Sequence, residues 1–264
     1  MAIAIAMPVT GLEPSCGRNY APRGPTLAAM RLPNSLTILV LAAAGFGFVA
    51  FWDPKIGIPG FWIAVAAILG LLLWRRFNTR ASSQRWLARA SDRPLILQPP
   101  FAERWRVTSG GPDPAHNHHL GRVDQYFAYD FEREAGESWD QPILAPCDGM
   151  IVHVENRQPD APPAERQHNR ARPFGNYVSI ETPGGYVILA HLRQESVTVR
   201  VGATVRAGDE IGRCGNSGNT RGSHLHVHAQ NQPSQVDSAQ ALPIAFQDRM
   251  ASEPMLLEFG DRLG

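Results

Sequence analysis

The chain has 264 residues, 44% of them hydrophobic, and a formal net charge of +1. So even a balance leaves no electrostatic footprint for nucleic acid. Its three cysteines, Cys16, Cys147 and Cys214, are widely spaced and odd in number, and they establish no disulfide framework; Cys147 and Cys214 are expected to pack as small apolar side chains.

Residues 1–34 combine Gly, Pro and Arg without periodicity and read as a disordered segment lacking the charged start and cleavage site of a removable signal peptide. Two uncharged apolar runs follow, Leu36 to Trp52 and Ile56 to Trp74, separated by Asp53-Pro54-Lys55. At about 1.5 Å of rise per residue, each nearly crosses an apolar layer of roughly 30 Å. Residues 35–76 are therefore expected to form a transmembrane helical hairpin, a two-span membrane anchor. Arg18, Arg23 and Arg31 precede it and Arg75, Arg76, Arg80 and Arg85 follow it, a bias that would place both ends in the cytoplasm. Residues 77–93 read as an Arg-rich helical connector, either along the membrane surface with Trp86 and the arginines at the level of lipid headgroups or as an ordinary solvated linker helix.

From Pro94 the composition turns to Pro, Gly and β-branched residues, with short strands between turn signals, so residues 94–264 are expected to be mainly β. Tyr126 to Phe131 reads as an apolar strand containing Asp130, a carboxylate costly to bury unless paired or bound to a cation. A histidine cluster, His116, His118 and His119, lies just before it. Glu155 to Pro173 is polar, Pro-rich and read as a long surface loop. The strand Tyr186 to Leu192 ends with His191. Ala241 to Phe246 and Met255 to Phe259 read as closing strands.

The densest chemistry is His224-Leu225-His226-Val227-His228, entered from a glycine-rich turn. In a strand, three imidazoles at every second position share one face roughly 6–7 Å apart. Neutral imidazole is both the commonest metal ligand and the side chain that titrates nearest neutrality. Such a strand can carry a metal ligand and an acid–base group side by side.

Several motifs in order carry a resemblance: Ala145-Pro146-Cys147-Asp148-Gly149, Gly175-Asn176-Tyr177-Val178-Ser179-Ile180, Ala190-His191-Leu192, Val201 to Gly212, Gly215-Asn216-Ser217-Gly218 and His224-Leu225-His226. Over roughly residues 95–250 the chain resembles the lysostaphin-type zinc metalloendopeptidases, which hydrolyse peptide bonds of bacterial cell-wall peptidoglycan. The resemblance implies an antiparallel β-sheet domain, a groove or sandwich with its site across a sheet. It implies a Zn²⁺ cofactor and a peptidoglycan peptide as substrate. It assigns His226 as a metal ligand and His224 and His191 as catalytic partners. The family's first ligand pair is often a His followed four residues later by Asp. Here Asn117-His118-His119 precedes Asp130 in the manner of a longer-spaced variant, which implies His119 and Asp130 as metal ligands, with His118 the alternative. His228 is surplus to that set and is expected to support a ligand by hydrogen bonding.

The resulting expectation is a membrane-anchored zinc metalloendopeptidase, with a non-catalytic peptidoglycan-binding or hydrolase-activating domain as the alternative. Peptidoglycan lies outside the cell membrane, so the β domain is expected to be extracytoplasmic although the charge bias disagrees. The Val201–Gly208 stretch also resembles lipoyl and biotinyl hairpins, but no lysine is present from Gly136 onward to be modified.

Overall fold

The computed structural model describes residues 57–248 and 251–264, with the backbone alone for residues 57–63. It opens with one helix, α1 (Gly57–Ala90), which runs unbroken through 34 residues. Its only proline, Pro59, lies in the first turn, where the missing N–H has no helical partner to lose. The boundary expected between an apolar span and a separate connector is therefore absent, since residues 77–90 continue the same helix. Among the described residues no helix is long and apolar enough to cross a membrane. The proposed first span and the segment 1–34 lie outside the described residues.

The strands are β1 (Leu95–Leu97), β2 (Trp105–Ser109), β3 (Tyr129–Arg133), β4 (Pro142–Leu144), β5 (Gly149–Glu155), β6 (Asn176–Thr182), β7 (Gly185–Leu192), β8 (Thr204–Val205), β9 (Glu210–Arg213), β10 (Leu225–Gln230), β11 (Ala241–Leu242), β12 (Ile244–Phe246) and β13 (Arg262–Leu263). The main sheet runs β13-β2-β3-β10-β7-β6-β5-β8, with β11 paired to the end of β10. All its pairings are antiparallel. The domain is mainly antiparallel β, as the turn spacing predicts.

Strand β10 shows why this sheet carries a site. Leu225, Val227 and Ala229 join the hydrophobic core with Phe131, Leu189 and Phe246. The period of two then puts His226, His228 and Gln230 together on the opposite face, and all three are buried.

Three local expectations are corrected. Trp86 is not at a membrane surface: it is 1% exposed, and its indole N–H donates to the Tyr126 carbonyl at 3.1 Å. The helix end packs on the β domain because Trp86 and Ala90 are the apolar side of an otherwise Arg-rich segment. The Tyr126–Phe131 strand begins only at Tyr129, because Tyr126–Ala128 form a turn closed by Ala128 N–H donating to Gln125 O at 2.9 Å. Met255 makes a single bridge to Phe246, and the 255–259 segment is not a strand; the sheet edge is closed by β13 against β2. Cys147 and Cys214 are buried without a disulfide between them, and burial pushes the Cys214 thiol up to about 12.

Truncating a fully buried Trp typically costs about 3–5 kcal/mol. Trp86→Ala should therefore lower unfolding stability by about that amount in urea titrations. A loss under about 1 kcal/mol would show that α1 is not part of the folded domain.

Candidate active site

Backbone register brings the site residues together. Asp130 of β3 and His226 of β10 are direct cross-strand partners, and His226 also faces Ala190 of β7. Directly opposed residues point the same way from the sheet. Beyond Ala190 the β6–β7 register slips, with Tyr177 opposite Ala190 but Asn176 opposite Leu192. His191 is the extra residue of this bulge and has φ +63°, a left-handed conformation uncommon outside glycine. The bulge turns its ring toward His224 and His226, with ring centroids 4.7 and 5.7 Å away.

His119 arrives from a 3-10 turn, His118–Gly121, capped by Asn117. The Asn117 side-chain oxygen accepts from His119 N–H at 3.0 Å and its amide donates to Gly111 O at 2.6 Å. That cap explains the asparagine two residues before the histidine. His119 is buried, its two ring nitrogens have no hydrogen-bond partner, and its Nε2 lies 3.2 Å from Asp130 Oδ2. His118 is half-exposed; its Nδ1 meets Ser109 Oγ at 2.8 Å and its Nε2 lies 3.6 Å from Asp130 Oδ2. His118, His119 and Asp130 present atoms that lie within 4.8 Å of one another. His116 stays apart, paired with Asp113 and stacked on Phe259.

The hydrogen bonds behind His226 fix its protonation. Gln230 Nε2 donates to the carbonyls of Gln232 and Ser234, each at 2.8 Å, so its Oε1 faces His228 Nε2 at 3.1 Å as an acceptor. His228 must then carry its proton on Nε2 and accept through Nδ1. His226 Nε2, 2.9 Å from that Nδ1, is the donor. This leaves His226 Nδ1 as a bare lone pair, 2.8 Å from Asp130 Oδ1. Burial pushes His226 down to about 3, against the pull of the neighbouring Asp130 carboxylate, so a second proton on this ring is disfavoured. At Asp130 burial acts to raise the carboxyl, but the imidazoles of His119, His224 and His226 around it outweigh that and hold it well below the usual range. Two acceptors in buried contact repel unless a cation joins them. His119 Nε2, Asp130 and His226 Nδ1 supply the nitrogen and oxygen donors that suit zinc.

His191 and His224 are set the other way round. The His191 Nδ1 donates to Ser217 O and the His224 Nδ1 to Gly222 O, each at 2.8 Å. Both turn a bare Nε2 inward; that of His224 lies 3.7 Å from Asp130 Oδ1. The Ser217 carbonyl is held in place by tight packing, since a Cβ on Gly175 (φ +61°) would sit 2.4 Å from it. Burial, then His224 and His226, hold His191 well below its ordinary value, and it is neutral near pH 7.

These residues line a cleft of about 450 Å³. Its lining includes all five residues singled out by the sequence, His119, Asp130, His191, His224 and His226, and also His118. His228 lies behind it, at the back of His226. Sequence reasoning missed Gln230, although it shares the two-residue period of the histidines. It also missed Asn117 as a cap and the arginines of the long loop.

Residues 128–238 match the family described as Peptidase family M23. The matched stretch holds Asp130, His191, His224 and His226 and leaves His118 and His119 upstream. Among curated proteins, the peptidoglycan DD-endopeptidase ShyB of Vibrio cholerae is 31% identical over 174 residues, which is 64% of this chain and 34% of that protein. The peptidoglycan DD-endopeptidase ShyA of the same organism is 30% identical over 128 residues, 48% of this chain and 25% of that protein. An uncharacterized metalloprotease of Buchnera aphidicola is 26% identical over 136 residues, 52% of this chain and 31% of that protein. The chain thus spans roughly a third or less of the length of these curated relatives.

The buried imidazoles set an acid limit on the metal-free fold. Burial holds both His226 and His228 near 3, below their ordinary value of 6.5. The unfolded chain takes up protons below 6.5 that the folded chain refuses, so their stabilisation is complete above that value and is lost as pH falls toward about 3. Stability should therefore fall steadily with acid across that window. Urea unfolding of chelator-treated protein between pH 7 and 4 measures it, and a flat profile would contradict the neutral, buried assignment.

Proposed function

We propose that this chain, whose residues 128–238 match peptidase family M23, is a zinc endopeptidase that hydrolyses peptide bonds of bacterial cell-wall peptidoglycan. The bare His226 Nδ1 facing Asp130 Oδ1 at 2.8 Å carries the reading, because that buried contact calls for a cation. His119, Asp130 and His226 would hold the zinc. Bound zinc supplies Lewis acidity, which lowers the pKa of a water toward about 7 and polarises a carbonyl.

The chain's own residues do the proton work. His191 and His224 are adjacent, each with Nδ1 held by a backbone carbonyl and Nε2 directed into the cleft. As bases they accept the proton of the attacking water. Once protonated, the same Nε2 is a donor and returns the proton to the leaving amine. Fixing Nδ1 prevents ring rotation during this exchange, so the donor direction is set before substrate binds. His228 and Gln230 fix the tautomer of His226 so that its Nδ1 lone pair would be free to hold a zinc.

The membrane reading is part of the same proposal. The sequence supports a two-span anchor through its apolar runs Leu36 to Trp52 and Ile56 to Trp74. The first run lies outside the described residues; α1 continues the second into a charged segment, and its described part is by itself too short an apolar stretch to span. A peptidoglycan substrate supports an extracytoplasmic domain.

His226→Ala should abolish both zinc content and peptidoglycan digestion, whereas His224→Ala should retain zinc and lose digestion. His228→Ala should still bind zinc, about 10–100-fold more weakly. Metal analysis and mass spectrometry of muropeptide products read these outcomes. Equal zinc in wild type and His226→Ala would refute the ligand set, and zinc binding without new amine ends would favour a binding domain. Expressed in bacteria, the full chain should resist alkaline extraction from the membrane fraction and be cut by protease added to spheroplasts. Protection from that protease would place the domain inside and remove the cell-wall substrate.

A further inference from the structure

The polar loop between β5 and β6 is a fixed wall of the cleft. Asp160 accepts from the backbone N–H groups of Asn216 and Gln194 through its two carboxylate oxygens, each at 2.7 Å. The buried Asn216 amide donates to Pro162 O at 2.7 Å and Glu165 O at 2.8 Å, while Thr220 Oγ1 donates to its side-chain oxygen. Ser223 N–H donates to Pro163 O at 2.7 Å, and Gln167 and Thr220 exchange backbone hydrogen bonds at 3.0 and 3.1 Å. The segment 160–167 is therefore anchored along its length to the glycine-rich turn that also holds His191 and His224.

What this wall offers to the cleft is positive charge. Arg166 lies between the anchored Glu165 and Gln167, Arg170 lies further along the loop, and Arg221 lies on the turn itself. All three are exposed and line the cleft beside His118, His191 and His224. Neighbouring arginines are already engaged, Arg122 with Asp124 at 3.0 Å and Arg172 with Glu155 at 2.9 Å. Among the described residues no ion pair engages Arg166, Arg170 or Arg221. The acids that line the cleft are Asp130, committed to the histidines, and Glu132. Three like charges around one concavity repel one another and focus a field that favours an anion there. A guanidinium matches a carboxylate with two parallel hydrogen bonds, which an uncharged carboxamide cannot reproduce.

We propose that Arg166, Arg170 and Arg221 form a carboxylate-binding subsite that makes the cleft selective for acidic peptides over their amidated counterparts. The proposal rests on the peptidase reading for the location of substrate, and names the substrate's charge. The backbone of 160–167 is pinned to the turn, and the side chains of Arg166, Arg170 and Arg221 contact the ligand.

The test uses the zinc-loaded full chain carrying His224→Gln, so that binding is read without turnover. Two fluorescent peptides, identical except that one carries a side-chain carboxylate and the other a carboxamide, are titrated by anisotropy. The acid peptide should bind at least about tenfold more tightly, as expected of one charge-assisted contact. The triple variant Arg166→Ala, Arg170→Ala, Arg221→Ala should bring it down to the affinity of the amide. In the unmutated loop, raising salt from about 0.05 to about 0.5 M should shrink the difference, a readout that does not depend on the variant folding. Equal affinity for the two peptides, or a triple variant that weakens both alike, would overturn the proposal. Cleavage of the same peptides by the chain with His224 intact reads the peptidase assignment separately: tight acid-selective binding without cleavage would remove that assignment and leave the subsite standing.

Discussion

The contact between Asp130 and His226 is the constraint on which the rest of the site depends. A buried carboxylate with no arginine or lysine against it is expensive, yet the sheet register places it directly opposite an imidazole and the relay behind that imidazole withholds the compensating proton. The His228–Gln230 chain ends on two backbone carbonyls, which only accept, so the direction of every hydrogen bond back to His226 is determined. The result is a pair of buried lone pairs that only a cation reconciles. Neutral burial alone would have been served better by reversing one tautomer.

The scaffold supports this pair from both sides. On one side, the end of α1 lies against the turn that leads into β3: Trp86 bonds the Tyr126 carbonyl and its ring meets Phe127 at 5.8 Å. Tyr126 is four residues before Asp130, so the helix end contributes to fixing the entry of the carboxylate strand. On the other side, Gly175 and Gly218 allow the backbones at Pro173–Gly175 and Ser217–Gly218 to approach so closely that any Cβ would collide. That approach presents Ser217 O to His191. The apolar half of β10 anchors the whole assembly in the core.

The chemistry of the site was more legible in the sequence than its geometry. The period of two in His224-Leu225-His226-Val227-His228 is a local property of strands, and it correctly separates the core face from the polar face. The carboxylate at Asp130 stands out because charge within an apolar run demands a partner. Less was legible where tertiary contacts decide. Trp86 in an Arg-rich helix looks equally suited to a headgroup layer or to a protein core, and only the β domain against it settles which. Tyr126 and Phe127 are as apolar as strand residues, but the backbone turns there to meet the helix. The bulge at His191 has no local signal, because the residue forced into a left-handed conformation is not glycine. Likewise the arginines of the long loop acquire significance only once Asn216 and Asp160 pin that loop beside the cleft.

Three imidazoles in the cleft differ in which ring nitrogen is spoken for, and that difference suits them to different roles. His191 and His224 spend Nδ1 on a backbone carbonyl and present Nε2, the nitrogen furthest from their own backbone, where it can follow a proton between groups that change position during reaction. His226 spends Nε2 on His228 and presents Nδ1, held close to the strand and so fixed with the precision of the sheet itself. A ligand benefits from the second arrangement and an acid–base group from the first. The same side chain, repeated within three residues, thus presents opposite ring nitrogens according to the acceptor waiting behind it. His228, whose two nitrogens are both engaged, is left with the task of making that assignment for His226.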